Sequence, residues 1–171
     1  MARLLALPLA QAASMNKADY NAARTRISAD YKTQRSACAS QTANAKDICV
    51  EEASAKQKVA RAELEYGYSG KPADLTKVKV AKAESAYAVA KEKCDDLAGN
   101  AKDVCVEEAK AVEVKALADA KMGQQIGEAK LDADEAKRDA DYKVAVEKCD
   151  AMAADAKASC VNAAKVSFGK S

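Results

Sequence analysis

Six cysteines are the residues of this chain most able to do chemistry: Cys38, Cys49, Cys94, Cys105, Cys149 and Cys160. Thiols can ligate a metal, exchange electrons or close disulfides. In each successive couple the second cysteine follows the first by eleven positions. Zinc knuckles bring their cysteines much closer, at C-x₂₋₄-C, or recruit histidine. The chain has no histidine. Redox-active couples favour C-x-x-C at a helix N-terminus, and none occurs. Structural disulfides are therefore the expected role. Six cysteines allow several connectivities. The symmetric local one, Cys38–Cys49, Cys94–Cys105 and Cys149–Cys160, needs no long-range assumption. Metal or thiol-redox function is the competing reading of the same residues.

Other constellations carry less. Without histidine the commonest general base is missing, so neither a Ser–His–Asp nor a Cys–His nucleophile can be assembled. Glu51-Glu52 and Glu107-Glu108 are adjacent carboxylates, and neighbours in sequence do not share a helix face. Tyr31, Tyr87 and Tyr142 each precede the first cysteine of a couple by seven residues. They could form a ligand-facing ladder, but tyrosine at core spacing more often packs its ring and turns its hydroxyl outward. They are read as packing residues. No phosphate-cradling glycine loop is present. No enzyme, metal or cofactor is expected.

The elements that must position the cysteines follow from the flanking sequence. Tyr31 to Val50, Tyr87 to Val106 and Tyr142 to Val161 align around their cysteines, offset by 56 and then 55 residues. Such fixed-period similarity marks a repeat architecture. Asn44, Asn100 and Asp155 are good N-cap residues, which puts Asp47 and Asp103 at N3, where a carboxylate favours the helix dipole. Leu97-Ala98-Gly99 reads as the end of the preceding helix. Each copy is thus helix, tight turn, helix, with its two cysteines at similar distances from the bend. In an antiparallel hairpin such residues lie side by side. Val80, Ala83, Tyr87, Ala90, Cys94 and Leu97 alternate in steps of three and four, as do Tyr142, Ala145, Cys149 and Met152, giving one apolar stripe per helix. Lys82, Glu84, Lys91 and Glu92 read as a solvated face.

Composition agrees. Alanine is about a quarter of the chain, with two Pro, six Gly, no Trp and one Phe, Phe168. Strong helix formers dominate. The expected fold is all-α: three repeated antiparallel helical hairpins, about six helices, in an elongated bundle or coiled-coil-like array. The helices fall near 15–42, 45–66, 73–98, 101–122, 128–152 and 156–167. Gly67-Tyr-Ser-Gly70-Lys-Pro72 is the clearest break. Gly123-Gln-Gln-Ile-Gly127 lacks proline and permits either a turn or a bend in one continuous helix. The expected divisions are 1–12, 13–69, 70–124 and 125–171. An alanine core is thin, because burying a large apolar side chain contributes about 1.5–3 kcal/mol and alanine far less.

Acids and bases nearly balance, 26 against 28, and are interspersed. That argues against a nucleic-acid footprint, which needs a basic stripe. Residues 1–12 read as a signal peptide: Arg3 in the n-region, Leu4 to Leu9 as the apolar segment, and Ala10-Gln-Ala12 as the cleavage site. No other stretch approaches a transmembrane span. An exported chain reaches an oxidising compartment, where disulfides persist.

Glu-Lys-Cys-Asp at 147–150, Asn-Ala-Lys-Asp-Val-Cys-Val at 100–106 and Asp-Tyr-Lys-Val-Ala at 141–145 resemble motifs of small exported repeat proteins of Gram-negative bacteria, mainly β-proteobacteria. The composition is also similar to the helical domain of TolA, a cell-envelope protein. The resemblance implies a place in the periplasm and no activity. The expected role is a structural or protein-interaction element of the envelope whose partner, another envelope protein, is unidentified. The alternative is a stress-related binding protein sequestering a metal or small ligand.

Overall fold

The computed structural model describes residues 15–170. The expected signal peptide, 1–12, lies outside the described residues. Five α-helices follow one another: α1, Lys17–Ala37; α2, Ala43–Ser69; α3, Pro72–Cys94; α4, Gly99–Cys149; and α5, Ala154–Phe168. A short 3-10 turn, Cys38–Ser40, follows α1. The described chain is all-α, with no strand.

The count is five rather than six because the spans expected at 101–122 and 128–152 form one element. α4 is 51 residues long and includes Gly123 and Gly127. A helical glycine costs about 1 kcal/mol relative to alanine, yet it keeps its N–H and clashes with nothing. Only proline removes a backbone donor and drives its ring into the preceding turn. At the other joint both devices are present. Gly70 takes φ +63 and donates its N–H to Tyr66 O at 2.8 Å, while Pro72 opens α3 at N1. Gly67, read from the sequence as part of the break, is helical.

Three helix starts also lie two residues before those expected from the sequence, at 43, 99 and 154 instead of 45, 101 and 156. α2 begins at Ala43 and α4 at Gly99, so Asn44 and Asn100 lie inside the first turn and cap nothing, and Asp47 and Asp103 fall beyond it. α5 begins at Ala154, with Ala153 at its N-cap and Asp155 inside. Gly99 opens α4 with φ +56 instead of closing α3, which ends at Cys94. Ala43 occupies the same place after the first cysteine turn, with φ +49. Helix α1 is capped more conventionally: Asn16 Oδ1 accepts the Asp19 N–H at 2.9 Å.

The chain divides into two compact units, one ending at Met122 and one starting at Gly123. In the first, α1 packs on α2 and α2 on α3. Its core is small: Cys38, Ala53, Leu64, Val78, Ala81, Ala83, Cys94 and Ala120 are the buried apolar residues. Three ion pairs cross the α2–α3 seam, Lys58–Glu84 at 2.6 Å, Glu63–Lys82 at 2.7 Å and Glu52–Lys93 at 3.1 Å. Lys82 and Glu84, expected on a solvated face, therefore edge this seam. In the second unit Cys149 and Ala164 are buried, and Tyr142 meets the Phe168 ring edge-on with centroids 6.2 Å apart.

Candidate functional site

The cysteines sit at the three bends that join α1 to α2, α3 to α4 and α4 to α5. Disulfides link Cys38 to Cys49, Cys94 to Cys105 and Cys149 to Cys160, with Cα–Cα separations of 5.6, 5.7 and 5.7 Å. These lie inside the range an ordinary disulfide spans. The first cysteine of each couple is fully buried, at 1 % or less exposure. A reagent or partner thiol must reach sulfur to exchange with it, and here half of each bridge is closed off by packing.

Two of the turns are stitched a second time. Asp95 accepts from Lys102 at 3.0 Å, and Asp150 from Lys157 at 3.1 Å. The first turn has Ala39 where the acids stand, so Lys46 has no such partner there. Instead Asn44 reaches outward from that turn. Its Nδ2 donates to Glu92 O at 2.9 Å and to Asp96 Oδ1 at 2.8 Å, tying the start of α2 to the end of α3.

Tyr31, Tyr87 and Tyr142 are all half-buried, and each looks across its hairpin at the residue eight places beyond the second cysteine. Tyr31 lines a groove with Gln57, Tyr87 one with Glu113, and Tyr142 packs on Phe168. Tyr31 and Tyr87 face different grooves and form no ladder. The groove at Tyr87 is mainly apolar. It lies between α3 and the first part of α4, holds about 650 Å³, and is floored by Ala83, Ala86, Ala90, Val112 and Ala116, with Lys82, Glu113 and Asp119 among the residues at its sides. That volume suits a small ligand. No set of polar groups converges on it that could move a proton or attack a carbonyl.

Comparison with protein-family models, with curated proteins and with solved structures finds no match to this chain. Its chemistry must be read from its own residues.

Of the adjacent carboxylates one is an ion-pair partner. Glu52 holds Lys93, and the adjacent Glu51 lines a neighbouring groove. Among the described residues no group of three or more His, Cys, Asp or Glu side chains could hold a metal ion. No described helix is long and apolar enough to cross a membrane.

The sequence reading missed two clusters. Near the open ends of α1 and α2, Tyr20 donates its hydroxyl to Glu65 Oε2 at 2.8 Å and packs against the tilted ring of Tyr68 with centroids 4.7 Å apart. That hydrogen bond, with partial desolvation, holds the Tyr20 phenol above its ordinary pKa. At the α2–α3 joint, Asp74 is buried and accepts from Ser69 Oγ at 2.5 Å and Lys77 Nζ at 2.8 Å. Lys77 and Ser69 keep its carboxyl below the usual carboxylate value, and Lys77 is raised in return. In the second unit Lys170 closes on Asp139 and lowers that carboxyl likewise. The only available signal was the Pro72-Ala-Asp74 triplet, an acid at N3 behind an N1 proline.

Proposed function

We propose that this chain is a periplasmic, exported helical repeat protein of the Gram-negative cell envelope, made of three cystine-closed hairpins and acting as a structural or protein-interaction element without catalysis. The observation that carries the reading is the burial of one sulfur in every cystine. Bridges so placed brace a weak alanine core and are poorly accessible for exchange. They need an oxidising compartment to form, which agrees with the leader-like residues 1–12 and with the resemblance to exported β-proteobacterial repeat proteins. The partner is another envelope protein that reads the charged helix faces; nucleic acid is not expected, given the interspersed charge.

The experiment is expression of the full chain with its own N-terminus in a Gram-negative host. Fractionation, non-reducing peptide mapping and in-cell crosslinking then read location, cleavage, pairing and partner. Recovery from the periplasm, trimmed near Ala12 and crosslinked to an envelope protein, supports the reading. Recovery from the cytosol with six free thiols overturns it.

The apolar groove beside Tyr87 favours one second reading, a stress-related protein sequestering a small ligand. Equilibrium dialysis against haem, with Zn²⁺ and Cu⁺ as the metal arms, tests it, and absence of uptake ends it.

A further inference from the structure

We propose that the groove between α1 and α2 beside Tyr31 binds a phosphate monoester, with Arg35 and Arg61 as its main ligands. The inference goes beyond the envelope role, concerns a different groove from the one beside Tyr87, and stands whichever compartment the protein occupies. Its residues all lie in the first compact unit.

Three cations line this groove, Lys32, Arg35 and Arg61, and no acid lines it. None of the three forms an ion pair among the described residues. Elsewhere in the chain acids and bases are interspersed and nearly equal in number. Asp30 lines a separate groove with Tyr31, and Glu51 lines one with Arg61. The rest of the lining supplies hydroxyls and an amide, from Ser28, Tyr31, Ser36 and Gln57. Arg61 Nη2 lies 3.4 Å from Ser28 Oγ, so its guanidinium already reaches from α2 across to α1. Tyr31 is four residues from Arg35, and Gln57 is four from Arg61, which is about 6 Å along each helix. An arginine side chain spans one turn, so both forks reach the space between Tyr31 and Gln57. The groove holds about 770 Å³.

The other two copies are internal controls. Adding 56, and then 55, carries each position to its counterparts. Ser28 becomes Glu84 and Asp139, Ser36 becomes Glu92 and Glu147, and Gln57 becomes Glu113 and Phe168. Arg35 becomes Lys91 and Val146, and Arg61 becomes Leu117. At these places the first hairpin lacks every acid its counterparts carry, and it has arginine where they have lysine or an apolar residue. Four of the six arginines, Arg24, Arg26, Arg35 and Arg61, stand on α1 and α2. Hairpins of the same build fold with acids at these places, so folding does not require their removal. An anionic ligand does. The planar guanidinium fork matches phosphate oxygens two at a time. A monoester offers three free oxygens and up to two negative charges, which suits two forks, an ammonium and neutral donors between them.

Such a group arrives either on a free small molecule or as a lipid headgroup, and the test separates the two. The full oxidised chain is titrated calorimetrically with glycerol phosphate. It is also floated with vesicles of phosphatidylcholine containing phosphatidic acid, whose headgroup is a monoester. Half-saturation by glycerol phosphate below about 1 mM at low salt assigns the free source; binding to the vesicles alone assigns the lipid. Arg35→Gln and Arg61→Gln should each weaken binding about tenfold, since each removes a charge-assisted contact. Ser28→Glu with Ser36→Glu installs the acids of the second copy and should abolish binding. Lys91→Gln, at the Arg35 place of the second copy, should leave it unchanged. Circular dichroism checks that each variant keeps its helicity. Failure to bind either probe overturns the proposal. So does equal binding to vesicles of matched surface charge that carry phosphatidylglycerol, a diester. Binding that survives the double Ser→Glu exchange in a helical protein, or a Lys91→Gln loss as large as that of Arg35→Gln, overturns it too.

Discussion

Asp95 and Lys102 face each other at 3.0 Å across the bend that Cys94–Cys105 closes, and Asp150 and Lys157 repeat the arrangement at 3.1 Å around Cys149–Cys160. The first bend has the cystine without the ion pair, since Ala39 replaces the acid. Ala39→Asp should therefore give Lys46 its partner. Both partners are partly exposed where the pair exists, so the gain is small, about 0.2–1 kcal/mol, and shrinks as salt is added. Urea unfolding at low and high ionic strength measures it; a gain independent of salt would point to another cause.

Backbone conformation separates the same bends. Gly99 adopts φ +56 and Ala43 adopts φ +49. Alanine in the left-handed region costs about 1–2 kcal/mol that glycine avoids. A Cβ built on Gly99 meets nothing within 4 Å, so the backbone alone decides the outcome there. Ala43→Gly is expected to be neutral to stabilising by up to about 1 kcal/mol, after the greater freedom of the unfolded glycine is subtracted. Gly99→Ala should destabilise by about 1 kcal/mol. A lowered urea midpoint for Gly99→Ala, with an unchanged or raised one for Ala43→Gly, is the expected pattern, and a Gly99→Ala protein as stable as the parent would refute the assignment.

The Ser69–Asp74–Lys77 clasp makes the α2–α3 joint sensitive to acid. The Asp74 carboxyl lies below its ordinary 3.8 in the folded chain. A depressed carboxylate contributes stability that is complete above the unfolded value and is lost as pH falls through the folded one. The loss should therefore set in below about pH 4. Lys77, raised above 10.5, behaves in the opposite sense and loses its contribution only in strong alkali. Asp74→Asn is expected to be less stable at pH 7 and to show a flatter decline between about pH 4 and pH 2. Parallel acid titrations of the two proteins, followed by circular dichroism, check this.

What was legible in the sequence were features written in residue types. Alanine with lysine and glutamate specifies helix, and the Tyr and Cys spacings placed the bends. What was not legible depended on balances. Gly123 and Gly127 weaken a helix without breaking it, so α4 runs through, whereas Gly70 followed by Pro72 stops one outright. Asn44 looked like a cap, yet α2 already begins at Ala43 and the Asn44 amide is spent on Glu92 and Asp96. The Tyr20–Glu65–Tyr68 cluster joins residues far apart in sequence, so spacing could not announce it.

The central claim is that the cystines make good what the alanine core lacks. Each closes a loop of about a dozen residues, for which chain entropy gives roughly 3 kcal/mol. Thermal unfolding of the same preparation, oxidised and then reduced with its thiols blocked, tests this most directly. The account predicts a melting temperature lower by well over about 6 °C after reduction, taking one bridge alone at 2–4 °C per kcal/mol. A reduced chain that melts where the oxidised one does would contradict it.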